Sequence, residues 1–255
     1  MEVTDVLAAV FRWFHIVAGI VWIGLLYWFN WVNIPFSQTL TGDARKQVIT
    51  ELAPRALYFF RWGAMWTWGL GLLLLGLVFY HGGLMFEPTS EGWNIKSGVM
   101  LAVTFLMYPV YDALARSPLG KNIRVMGVVG FIIIAIIVYS MINWAEFSYR
   151  AYSIHLGAMF GTIMVANVWS RIWPNQKKVI AAIKDGTTPD PALIATTGQR
   201  SRHNTYLSVP LVWTMINSHT VVPGADSWLW LLGVTLLGWL VVSLLYARSM
   251  KVKGA

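Results

Sequence analysis

Apolar positions gather into seven long runs, at about 7–34, 56–81, 95–116, 122–146, 151–173, 204–222 and 226–248. Each approaches or exceeds the ~20 residues that a helix needs to cross a bilayer. The sixth run is the most polar, because Pro210, Asn217 and His219 interrupt it. One long polar connection, about 174–203, separates the fifth run from the sixth and is punctuated by Pro174, Pro189 and Pro191. Within it, Gln176 to Lys184 followed by Gly186 predicts a short surface helix with a glycine stop. No internal repeat, heptad or low-complexity tract is evident. The pattern predicts an all-α fold, a polytopic membrane helix bundle of seven transmembrane helices, with residues 1–255 forming a single transmembrane domain.

Composition agrees with that class. Charged residues make up 12% of the chain, about half the share of a soluble domain, and the mean hydropathy is +0.58. Fifteen Trp and ten Tyr supply the aromatic belts that mark membrane interfaces. The first run is too long for a signal peptide and is preceded by Glu2 and Asp5 rather than a basic segment, so it is expected to stay as the first span.

The placement of charge then orients the bundle. With seven spans, Arg45, Lys46, Arg55, Arg61, Arg116, Lys121 and Arg124 fall on one side. So do Arg171, Lys177, Lys178, Lys184, Arg200, Arg202, Arg248, Lys251 and Lys253. The other side keeps only Arg12, Lys96 and Arg150 of the 19 basic residues, together with Glu2, Asp5, Glu87, Glu91, Glu146 and Asp226. Basic residues are retained in the cytoplasm. The expected topology is therefore N-out and C-in, in a bacterial inner membrane, with 174–203 as a cytoplasmic loop. The net charge of +8 is accounted for by topology, so nucleic acid is not an expected partner and membrane lipids are.

On this topology four of the five histidines lie in the outer half of the bilayer, on four helices. His15 is ~12 Å deep in the first span at 1.5 Å per residue. His81 closes the second span, His155 lies one turn into the fifth, and His219 sits in the last turn of the sixth; only His203 is cytoplasmic. Ionisable side chains inside a bilayer face the bundle interior and have partners or ligands. With no Cys, the chain cannot form disulfides, thiolate metal sites, iron–sulfur clusters or a covalently attached c-type haem. Neutral imidazole remains as an axial ligand for haem b, with His15, His155 and His219 as ligand candidates and Arg12 as a partner for a propionate. A copper site on His15, His155, His219 and His81 is the other metal reading. Each residue also has a plain structural reading. A buried histidine can simply be hydrogen-bonded, and His81 beside Gly82 and Gly83 needs no ligand. Gly157 and Gly161 beside His155 can serve close helix packing or leave room for a macrocycle. Arg61 and Arg12 can snorkel to an interface, and Asp112 can form a helix-end ion pair. The seventh span has no lysine for a retinal Schiff base.

Three blocks carry a family resemblance. Arg12-Trp13-Phe14-His15-Ile16-Val17-Ala18-Gly19-Ile20-Val21-Trp22-Ile23-Gly24 resembles the first span of the membrane domain of bacterial cytochrome c-linked urate oxidases. Ala53-Pro54-Arg55-Ala56-Leu57-Tyr58-Phe59-Phe60-Arg61-Trp62-Gly63-Ala64 is similar to the opening of that family's second span. Ser201-Arg202-His203-Asn204-Thr205-Tyr206 through Pro210, then Met215-Ile216-Asn217-Ser218-His219, resembles its signature near the end of the domain. The resemblance implies a membrane redox protein that oxidises urate or a related small molecule and passes electrons to a cytochrome c. That family carries an eighth span and a periplasmic c-type cytochrome, whereas this sequence has no CxxCH. A separate periplasmic cytochrome c is then the expected acceptor. The alternative is a non-catalytic structural or assembly subunit of a larger membrane respiratory or oxygenase complex. A transporter is disfavoured, since no inverted repeat or paired broken helices are seen.

Overall fold

The computed structural model describes residues 3–217 and 227–252. Over these residues the chain is all-α, in seven helices: α1 Val3–Thr39, α2 Gly42–His81, α3 Ile95–Arg116, α4 Ile123–Asn143, α5 Tyr149–Lys184, α6 Pro191–Asn217 and α7 Trp228–Ser249. Six of them, all but α6, are long and apolar enough to cross a membrane, which makes this a multi-pass membrane protein. The predicted span at 204–222 corresponds in part to α6, and its last residues, His219 among them, lie outside the described residues.

Helix ends follow local chemistry. Asn94 caps α3 by accepting from the Lys96 and Ser97 amides, while Ser97 Oγ accepts from the Asn94 amide, closing a capping box. Asn122 caps α4 by accepting from the Arg124 and Val125 amides. Asp190 accepts from the Ala192 amide at the start of α6, with Pro191 in the first turn where its missing N–H costs nothing.

The polar connection at 174–203 is largely helical. Its predicted surface helix exists, ending at Lys184 with Gly186 at φ +73°, but it runs on from the fifth apolar run without a break, and α6 begins at Pro191. Pro174 does not interrupt α5 because a wide i→i+5 turn precedes it. The Trp173 amide bonds to Val168 O, one residue further back than in an α-helix. The same device precedes Pro35, with Ile34 N–H on Phe29 O, and Pro54, with Ala53 N–H on Val48 O. Proline cannot donate to the carbonyl four residues before it, and slipping the ladder by one residue lets later amides reach those carbonyls.

The chain divides into two compact units: Met1–Leu72 with Met164–Ser208 and Trp239–Ala255, and Leu73–Ile163 with Val209–Gly238. In the first, Trp22, Leu26, Leu57, Phe60 and Val168 are buried. In the second, Phe79, Met85, Met141, Leu156 and Phe160 are. Of the apolar helices α5 is the most enclosed, with 83% of its most apolar window buried against 6% for α1. The other helices expose apolar stripes at helical spacing, such as Val128, Ile132 and Ile136 on α4 and Leu237, Leu240 and Leu244 on α7. A lipid environment accepts such faces, where water would not.

Candidate functional site

In the first unit His15 lies on the face of α1 that meets α2. Three small residues of α2 at four-residue spacing, Gly63, Thr67 and Gly71, let the two helices approach closely. A Cβ at Gly63 would sit 3.3 Å from the Trp22 amide nitrogen, and one at Gly71 would sit 3.1 Å from His15 Cε1. His15 Nδ1 lies 2.8 Å from Thr67 O. A carbonyl only accepts, so Nδ1 carries the proton and the lone pair of the neutral ring is on Nε2. This is the tautomer that a metal-bound imidazole adopts when its other nitrogen is oriented by the backbone. Sequence reasoning missed the Gly63-Thr67-Gly71 spacing that positions His15.

In the second unit His155 is fully buried on α5. Its Nδ1 donates to Ala151 O at 2.7 Å, and Nε2 accepts from the Tyr80 hydroxyl at 3.0 Å. Phe147 and Phe79 surround the ring, with centroids 5.4 and 6.4 Å away. Both nitrogens are thus engaged. The neighbouring glycines are also occupied. A Cβ at Gly157 would run into Thr214 of α6, and one at Gly161 would lie 3.5 Å from Leu211 Cδ1. These glycines serve close packing of α5 on α6. Tyr80 had read as a belt aromatic; its role as the partner of His155 has no signature in the sequence.

The remaining candidates separate. Arg12 is exposed on α1, His81 is exposed at the end of α2, and His219 lies outside the described residues. Among the described residues, no group of three or more His, Asp or Glu side chains is placed to hold a metal ion. Asp112 forms the helix-end ion pair, 3.1 Å from Arg116 Nε. Arg61 stacks its guanidinium 3.9 Å from the centre of the Trp173 ring.

The block Ser201–Tyr206 turns out to be a set of interhelical ties in the first unit. Asn30 of α1 donates to Ser201 Oγ at 2.8 Å and accepts from the Tyr246 hydroxyl of α7 at 2.8 Å. Arg202 lies over the Tyr246 ring at 5.1 Å. Asn204 accepts from Asn167 Nδ2 of α5 at 2.8 Å and donates to Met164 O at 3.0 Å. Tyr206 meets Ser243, and two residues on, Ser208 meets Tyr27 of α1. One short stretch of α6 is thereby fastened to α1, α5 and α7.

His203, in the same block and outside the six apolar helices, is buried, and its pKa is lowered from 6.5 to about 4. Burial is the main cause, and Arg200 and Arg202 add to it. The unfolded chain takes up this proton near pH 6.5, whereas the folded chain resists until about pH 4. Stability from this group is therefore full above pH 6.5 and falls as the pH drops through that interval, by roughly 1 kcal/mol per pH unit. His203→Gln should flatten that part of the curve in detergent unfolding measured from pH 7 to pH 4. An unchanged slope would mean that His203 titrates normally in the fold.

Residues 44–253 match the family model described as Urate oxidase N-terminal. The match covers the second and third blocks quoted above and begins after the first. No curated protein and no solved structure matches the chain.

Proposed function

Because the chain belongs to the urate oxidase N-terminal family, we propose that it is the membrane part of a urate-oxidising redox system, passing electrons to a periplasmic cytochrome c. We place it in a bacterial inner membrane with seven spans, the part of α6 from about residue 204 serving in the sixth, its N-terminus outside and its C-terminus inside. The one-sided distribution of Lys and Arg supports this orientation.

The observation that carries the redox reading is His15. Its Nδ1 is committed to Thr67 O, which leaves Nε2 as a ligand nitrogen on a half-buried ring. Haem b bound there would supply a one-electron centre. Arg12, three residues earlier on α1, is the residue for a propionate, and His155 and His219 are the other ligand candidates. To serve, His155 would have to release the Tyr80 hydroxyl. Copper on the same histidines is the alternative metal.

The second reading is a non-catalytic subunit of a larger membrane complex. It draws on two observations: both nitrogens of His155 are satisfied within the fold, and the Ser201–Tyr206 block is used for helix packing. A reduced-minus-oxidised spectrum with pyridine haemochrome quantification, on protein purified in mild detergent, separates the two. The redox reading expects a b-type signal that His15→Ala abolishes and Tyr80→Phe keeps. No haem and no copper in the wild type, with copurification of larger partners, would sink it in favour of the subunit.

A further inference from the structure

Independently of any redox role, the first unit contains a cavity of about 560 Å³ at the end of the helices where α1 stops and α2 begins. That volume lies in the range of sites that take up organic ligands. Its wall is mostly apolar, with Phe29, Ile34, Leu57, Phe60, Val179 and Ile194 among the lining side chains. Two cations, Arg45 and Lys46, also line it and are exposed. The nearby carboxylate of Glu51 is engaged by Arg55 at 3.2 Å and is not part of the wall.

Two features of α6 complete the description. Thr197 lines the cavity and is buried. Next to it Gly198 also lines the wall, and a Cβ there would meet nothing within 4 Å. An apolar interior and two exposed cations beside it describe the complement of an amphipathic anion. In a chain whose apolar helices lie among lipids, that anion is at hand.

We propose that this cavity binds an anionic phospholipid from the surrounding bilayer, with its phosphate at Arg45 and Lys46 and one acyl chain against the apolar wall. Basic residues between membrane helices attract anionic headgroups, each cation contributing a few-fold in affinity. A free, small, polar anion would satisfy the cations but leave the apolar wall unfilled.

The test is native mass spectrometry of the full chain in detergent, titrated with phosphatidylglycerol and with phosphatidylcholine of the same acyl chains. Wild type should prefer phosphatidylglycerol by on the order of tenfold. Arg45→Gln with Lys46→Gln should bring the two lipids to near parity, and because both side chains are exposed the fold should survive. Gly198→Phe should weaken both lipids by filling the cavity, whereas Gly198→Ala should bind as wild type does. Equal binding of the two lipids by wild type overturns the proposal. So does a preference that survives both the double variant and Gly198→Phe. Competition by glycerol 3-phosphate or urate at concentrations similar to those of the lipid would also overturn it, by showing a small-anion site instead.

Discussion

Gly157→Ala should destabilise the chain by about 3 kcal/mol, the cost of overpacking a site whose neighbours have little freedom to move. The added Cβ would fall inside the envelope of Thr214 Oγ1 and lie 2.9 Å from Met215 Cε and 3.1 Å from Thr214 Cβ. Met215 can swing its terminal methyl away. Thr214 cannot move as easily, because it is fully buried, β-branched, and donates its hydroxyl to Leu211 O at 2.7 Å. Relief must then come from separating α5 and α6 within the second unit, which loosens the contact that Gly161 makes with Leu211. Thermal unfolding in detergent should show the loss, and adding Thr214→Ala should restore most of it, since that change removes the worst contact. A Gly157→Ala protein that melts with wild type would show that α5 and α6 do not approach this closely. If Gly157→Ala loses stability but Thr214→Ala fails to rescue it, the backbone at Gly157 matters for some other reason.

The membrane class and six of the helices were legible because a bilayer imposes one requirement on every span, a long apolar run, and hydropathy reads it directly. The ends of α3 at Ile95 and Arg116 matched the expected limits, since Asn94 and Ser97 form a cap that is local in sequence. Proline was harder to read. As a sequence signal it marks a break, yet Pro35, Pro54 and Pro174 are carried inside continuous helices by the wide turns before them. That adjustment depends on where displaced carbonyls find partners, which spacing alone does not reveal. The histidines show the same division. That His15 and His155 would have partners followed from the cost of polar groups in lipid. Which partners, Thr67 O in one case and Tyr80 with Ala151 O in the other, depended on helix packing. Ser201–Tyr206 stood out as part of a family-like signature because it is polar and aromatic in a distinctive order. Yet polar side chains between membrane helices can also be conspicuous because they hold the helices together, and the ties from Ser201, Asn204 and Tyr206 are of that kind.

Asn204 offers the sharpest test of that view. Its amide is fully buried, accepting from Asn167 Nδ2 and donating to Met164 O, so both of its ends tie α6 to α5. Asn204→Leu keeps the size and removes both bonds. It should cost about 2 kcal/mol, since interhelical bonds in lipid are worth ~1 kcal/mol each and a buried group that loses its partner adds a penalty. Asn167→Leu combined with Asn204→Leu should cost less than the two single changes summed, because removing both partners leaves no amide stranded opposite a leucine. The coupling, read from unfolding midpoints in detergent, should be about 1 kcal/mol. Asn204→Asp should fall between the extremes at high pH if the acceptor alone holds Asn167, and should fare worst if the donor to Met164 O is the stronger tie. Strict additivity would mean that the two amides do not act as a pair. In that case the role of this block in holding α6 would have to rest on Ser201 and Tyr206 alone. A spectroscopic cofactor signal lost in Asn204→Leu while the unfolding midpoint stays put would return the block to chemistry, because packing damage cannot remove a chromophore without also lowering the melting point.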